Sequence, residues 1–151
     1  MQTRRETLKH SAVVAGLLAT AGLFPQYAFA YNKGAFEAKT VPDVVKALGG
    51  QIPVESKDVI VGGPDIAENG AVVPLTASTT LAGVKHILIL VEKNPAALVA
   101  QFNVTDAVEA NFSTRAKMGQ SSDVYAVAIM ADGRALFSKK EVKVTLGGCG
   151  G

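Results

Sequence analysis

From Ile52 onward the chain is a succession of short β-type runs separated by turn signals, and that spacing narrows its fold more than any other feature. Asp58-Val59-Ile60-Val61 is ended by Gly62-Gly63-Pro64. Ala71 to Ser78 is a second strand, and Pro74 inside it predicts an edge position or a bulge, because proline cannot donate to a ladder. Val84 to Val91 is the strongest run and is closed by Asn94-Pro95. Leu98 to Val104, Ala110 to Met118, Val124 to Met130 and Ala135 to Leu146 follow, with Asp132-Gly133 as a hairpin turn between the last two. Val142, Val144 and Leu146 alternate with Lys143 and Thr145, the period of a half-buried strand. The expectation is an all-β, antiparallel β-sandwich.

A helix precedes it. Phe36, Val41, Val44, Val45 and Leu48 recur at helical spacing over Asn32 to Leu48, with Thr40 as a candidate N-cap, Pro42-Asp43 suited to a first turn and Gly49-Gly50 as the stop. Its apolar stripe reads as a packing face.

The two ends of the chain carry the remaining information. Arg4 and Arg5 are followed by Lys9, an apolar run from about Ser11 to Phe24, and Ala28-Phe29-Ala30, a small-x-small cleavage site. That order describes an export signal, and paired arginines point to the Tat route. The run is short for a membrane span, which takes about 20 apolar residues, although an anchoring helix is the alternative; Thr7 stands where such signals favour an apolar residue. Residues 1–30 are therefore expected to be removed, leaving a domain over 31–146 and a tail over 147–151. Loss of Arg4, Arg5, Lys9 and Glu6 from 15 basic and 13 acidic side chains leaves twelve of each. A neutral chain offers no basic face for nucleic acid or an anionic membrane.

At the other end stands Gly147-Gly148-Cys149-Gly150-Gly151, with the one cysteine of the chain. Glycine leaves the backbone almost without conformational preference, so the thiol is expected near the tip of a slim, loose arm. From Leu146 to Cys149 that arm spans roughly 10 Å when extended. A lone cysteine in an oxidising compartment marks either intermolecular pairing or a free reactive thiol, and the bland alternative is a frayed end with an incidental cysteine. No second cysteine exists for an internal disulfide or a cysteine-ligated zinc site. His86 is the one histidine left after signal removal and reads as a strand residue rather than a general base. Asp65, Glu68 and Glu92 lie near turns, with no spacing that pairs them for acid–base work. The chain offers a nucleophile without machinery to activate it, which suits a carrier better than an enzyme. Neither a metal nor a cofactor is expected.

Ala67-Glu68-Asn69-Gly70 with Val73-Pro74, Val91-Glu92-Lys93-Asn94-Pro95, Ser113-Thr114-Arg115-Ala116-Lys117-Met118, and Val142-Lys143-Val144-Thr145 leading into Gly-Gly-Cys-Gly-Gly together resemble the SoxY family, sulfur-carrying subunits of the periplasmic Sox thiosulfate-oxidation system. The resemblance implies an immunoglobulin-like sandwich, a heterodimer with a SoxZ subunit, and Cys149 as the covalent attachment point. It further implies that the c-type cytochrome SoxAX loads thiosulfate onto the thiol, that SoxB releases sulfate, and that SoxCD, where present, oxidises the sulfane sulfur left behind. Two other readings stay open at this point. One is a non-catalytic scaffold sandwich. The other is a ubiquitin-like carrier using a terminal Gly-Gly carboxylate, against which the export signal and the cysteine count.

Overall fold

The computed structural model describes residues 32–145, together with Leu8, His10 and Val13. Arg4 and Arg5, Gly147, Gly148, Cys149, Gly150 and Gly151, and with them the expected signal cleavage site and arm, lie outside the described residues. The chain falls into two units, Met1–Tyr31 and Asn32–Gly151.

The expected helix over Asn32 to Leu48 is two short helices, α1 (Lys33–Glu37) and α2 (Val41–Ala47). Asn32 caps the first, its side chain accepting from the Ala35 N–H, and Ala38 ends it in extended backbone. Thr40 caps the second: its Oγ1 accepts from the Asp43 N–H at 3.3 Å and donates to the Asp43 carboxylate at 2.6 Å. Pro42 fits the first turn of α2, where its missing N–H has no intrahelical partner to lose. It could not sit in the middle of one long helix without breaking the ladder. Gly49, at φ +80°, turns the chain out of α2.

Among the described residues nine strands follow: β1 (Val54–Glu55), β2 (Val59–Gly62), β3 (Ile66–Ala67), β4 (Val73–Thr79), β5 (Val84–Val91), β6 (Leu98–Asn103), β7 (Asn111–Ala116), β8 (Ser122–Met130) and β9 (Ala135–Val144). They form an immunoglobulin-like sandwich. One sheet has the order β1-β9-β8-β5-β6, with β3 also on β9, and the other is β2-β4-β7. The long strands pair antiparallel, as expected, and Asp132-Gly133 makes the β8–β9 hairpin, with Gly133 at φ +88°. The two-residue strands β1 and β3 depart from that pattern by joining β9 in parallel. Neither is long enough to show a period of two in the sequence.

Pro74 is also placed differently from expectation, since it lies in the central strand of the smaller sheet rather than at an edge. The Thr79 N–H donates to the Ala110 carbonyl. Alternation along an antiparallel ladder then turns the backbone of Val73, Leu75 and Ala77 toward β7 and that of Pro74 toward the β2 side. Pairing with β2 stops at Gly62 opposite Thr76, so Pro74 lies beyond its end and breaks no ladder bond.

Two cores explain why β5 reads as a nearly unbroken apolar run. Ile87, Ile89 and Val91 join Leu75, Ala77, Val124, Ala126 and Val142 between the sheets. Leu88 and Leu90 point the other way and, with Val127 and Ile129, pack under Ala35, Val41, Val44 and Val45 of the helices. Leu88 is fully buried. Leu88→Ala should therefore lower unfolding free energy by about 2–5 kcal/mol. The same change at exposed Lys85 should fall within about 0.5 kcal/mol of zero. Urea denaturation measures both.

Candidate functional site

The last described residues of β9 are held from both sides. On one side β8 pairs with β9 as far as Ser122 opposite Val142. On the other, β3 pairs Ile66 with Lys143 and Ala67 with Val144. The Lys143 N–H donates to the Asp65 carbonyl at 3.0 Å, and the Thr145 N–H donates to the Ala67 carbonyl at 3.1 Å. The Val144 N–H donates to Ser121 Oγ at 2.9 Å. Val142 is fully buried between the sheets and so fixes the strand in depth. Each bond contributes about 0.5–1.5 kcal/mol net, and together they hold the strand end in one register.

Three turns close around this point. The Met118 N–H donates to the Gly70 carbonyl at 2.7 Å. A Cβ on Gly70 would lie 2.4 Å from the Met118 carbonyl oxygen and 2.8 Å from Val144 Cγ1. The approach therefore requires glycine. Asn69 shapes the turn through its side chain, which accepts from the Ala71 N–H. Asn94 donates to the Lys117 carbonyl at 2.9 Å, and the Lys93 N–H donates to the buried Ser122 hydroxyl at 3.0 Å. Segments 67–70, 91–94, 117–118 and 142–145, scattered in the sequence, meet at one end of the sandwich.

Charge reinforces the anchor. Lys140 Nζ lies 2.8 Å from an Asp65 carboxylate oxygen and donates to the Gly63 carbonyl at 2.7 Å. The hydrogen bond and charge of Lys140 hold the Asp65 pKa below the ordinary carboxylate value. A depressed carboxylate pKa adds stability above its unfolded value, and that contribution is lost as pH falls through the lowered one. Asp65 is fully exposed to solvent, so salt screens the effect. Lys139 pairs with Asp123 at 2.8 Å and stands 5.9 Å above the Tyr125 ring. Sequence reasoning passed over Ser121, Ser122 and the Asp65–Lys140 pair, whose only signal was polar residues flanking strands.

Of the other candidates, His86 is separate from this end. His86 Nδ1 is 2.9 Å from Asn103 Oδ1, and partial burial lowers its pKa. This is a histidine satisfied within a strand. Glu68 and Glu92 lie in the turns at the β9 end and make no ion pair among the described residues. No cluster of three or more His, Cys, Asp or Glu able to hold a metal occurs among the described residues. A cleft of about 710 Å³, lined in part by Lys57, Ser78, Thr80, Val84 and Asn111, sits at the opposite end of the strands. Its size does not connect it to the end where β9 finishes.

A family model described as sulfur oxidation protein SoxY matches residues 44–149, which takes in all four converging segments and Cys149. The chain belongs to the SoxY family. Among solved structures, the sulfur carrier protein SoxY from Chlorobium limicola f thiosulfatophilum is 33% identical, with a TM-score of 0.57 over 62% of this chain and 84% of that one. A superoxide reductase (neelaredoxin) from Ignicoccus hospitalis is 15% identical, with a TM-score of 0.51 over 58% of this chain and 80% of its own. At that identity the likeness shows a shared sandwich fold alone. No curated protein sequence matches the chain. In this SoxY-family domain, Gly70→Ala should loosen the strand end. It should cost about 1–3 kcal/mol through overpacking and speed hydrogen exchange at the Met118, Val144 and Thr145 amides more than at Leu88.

Proposed function

We propose that this SoxY-family chain is a covalent sulfur carrier and that Cys149 is its attachment point. The observation that carries the reading is the anchored end of β9. The strand is held as far as Thr145, and the one thiol of the chain follows four residues later. From Thr145 to Cys149 is about 13–14 Å of extended chain. Four glycines around Cys149 add no side-chain bulk, so the thiol can enter a recessed active site while the sandwich stays outside. The family match reaches residue 149, which agrees with this reading.

The chemistry needs little from the carrier. Loading joins the Cys149 sulfur to the sulfane sulfur of thiosulfate. The thiol and S2O3 2− give Cys149–S–S–SO3− with one proton released and two electrons passed to a c-type cytochrome of the SoxAX kind. Hydrolysis by a SoxB-type enzyme then cleaves the bond between sulfane sulfur and sulfonate. Water supplies the fourth oxygen of sulfate, two protons leave, and a persulfide stays on Cys149. A SoxCD-type dehydrogenase would oxidise that sulfane sulfur. The carrier itself contributes the nucleophile, and activation falls to its partners. It holds no cofactor of its own and is not itself an enzyme.

In the same reading, residues 1–30 direct Tat export through Arg4 and Arg5, and the domain works in the periplasm as a heterodimer with a SoxZ-like subunit. Among the described residues no helix is long and apolar enough to cross a membrane.

Cys149→Ser should abolish loading, because an alcohol forms no disulfide-type bond to a sulfane sulfur. The double variant Gly147→Val, Gly148→Val keeps the thiol but adds bulk and restricts the backbone. It should melt like the wild type and release sulfate far more slowly in an assay with the partner enzymes. Wild-type turnover by the valine variant would rule out an arm whose slimness matters.

A further inference from the structure

We propose that the free edge of β7 receives an extended strand of the heterodimeric partner chain, with a carboxylate opposite Arg115. This rests on the heterodimer of the carrier reading and names the surface that reading leaves open.

The edges of the sandwich are not equivalent. β9 would be an edge of the larger sheet, but β1 and β3 cover it at its two ends. β2 is only four residues long and runs into Gly62-Gly63-Pro64. β6 carries a register shift in its pairing with β5 at Ile89/Leu90, and such bulges blunt an edge. β7 has none of these protections. It pairs with β4 over six consecutive positions without a shift and contains neither proline nor lysine. The Thr79-to-Ala110 bond sets the alternation, so the backbone groups of Ser113 and Arg115 point away from β4. These are the donors and acceptors a further strand would use.

The side chains on the outer face suit the same occupant. Ile60, Gly62, Pro74, Thr76, Ser78, Asn111, Ser113 and Arg115 form that face, and Arg115 is its one charge. Folded domains usually carry dense mixed charge on a solvent face. The open part of the other sheet does so, through Asp123, Lys139, Glu141 and Lys143. Arg115 is exposed and has no carboxylate within 4 Å among the described residues. It stands in register with Pro74, and both line a shallow hollow with Ser113 and Thr114. Depletion of charge around a retained arginine is one feature of a protein interface core. A cross-strand carboxylate is the complement that Arg115 lacks.

The test uses the full mature chain with its co-expressed SoxZ-like partner, read by sedimentation, with thermal melting of each variant alone. Ser113→Pro deletes an N–H that β4 does not use, and Arg115→Glu reverses the lone charge. Each should weaken association at least tenfold while leaving the melting temperature within a few degrees of the wild type. If Ser113→Pro fails to fold, Arg115→Glu, at an exposed position, carries the test alone. If the wild type associates and both variants associate equally well, the β7 proposal is overturned and the carrier reading stands. If the wild type ignores the partner, the heterodimer reading itself fails. If instead the wild type self-associates and the variants abolish that, the occupant is a second copy and the assignment to a heterologous partner is wrong.

Discussion

In the proposed carrier, a tethered thiol could reach only as far as its last anchored residue allows, so the reading depends on how firmly the end of β9 is held. A strand that leaves a sheet normally frays, because its last backbone groups lose partners on both sides. Here the two-residue strand β3 supplies the missing side at Lys143 and Val144. Ser121 and Ala67 take the N–H groups of Val144 and Thr145. Gly70 lets the flanking turn close in without a side chain between it and Met118. Freed residues would lengthen the tether, and the effective concentration of a tethered group falls roughly as the −3/2 power of tether length. Doubling four residues to eight would cost about threefold. A firmly held strand end is thus the economical root for the proposed carrier arm.

The two sheets divide the remaining work. The larger one is packed by the inter-sheet core on one face and, over part of the other, by α1 and α2. That makes it the stable frame on which β9 is mounted. The smaller sheet is packed on one face only, and its outer face has small, uncharged side chains around Arg115. β7 ends at Ala116, and Met118 two residues later contacts the root through Gly70. A chain seated on β7 would therefore lie close to the Gly70 turn beside the end of β9.

Much of this was legible in the sequence, and the residues show why the rest was not. β5 has the boundaries that its apolar run suggests, and β8, β9 and the Asp132-Gly133 hairpin follow from alternation and turn chemistry. Pro74 signals an edge position or a bulge because proline spoils a ladder, but whether it does depends on where β2 stops, which no local pattern records. The helical stripe over Asn32 to Leu48 hid a break at Ala38–Thr40, since both helices place their apolar residues on one core. β1 and β3 left no trace because two residues have no period. Glu68-Asn69-Gly70 and Asn94-Pro95 were legible as turns; that both meet the end of β9 is a property of the topology alone.

The central claim is that sulfur becomes covalently attached at Cys149. Intact-mass spectrometry of the mature chain tests it most directly, after incubation with thiosulfate, a SoxAX-type cytochrome and an electron acceptor, followed by peptide mapping. The account predicts a single adduct of one thiosulfate on the C-terminal peptide, removed by a thiol reductant. A chain that stays unmodified under conditions that load another SoxY protein, or an adduct mapped away from Cys149, would contradict it.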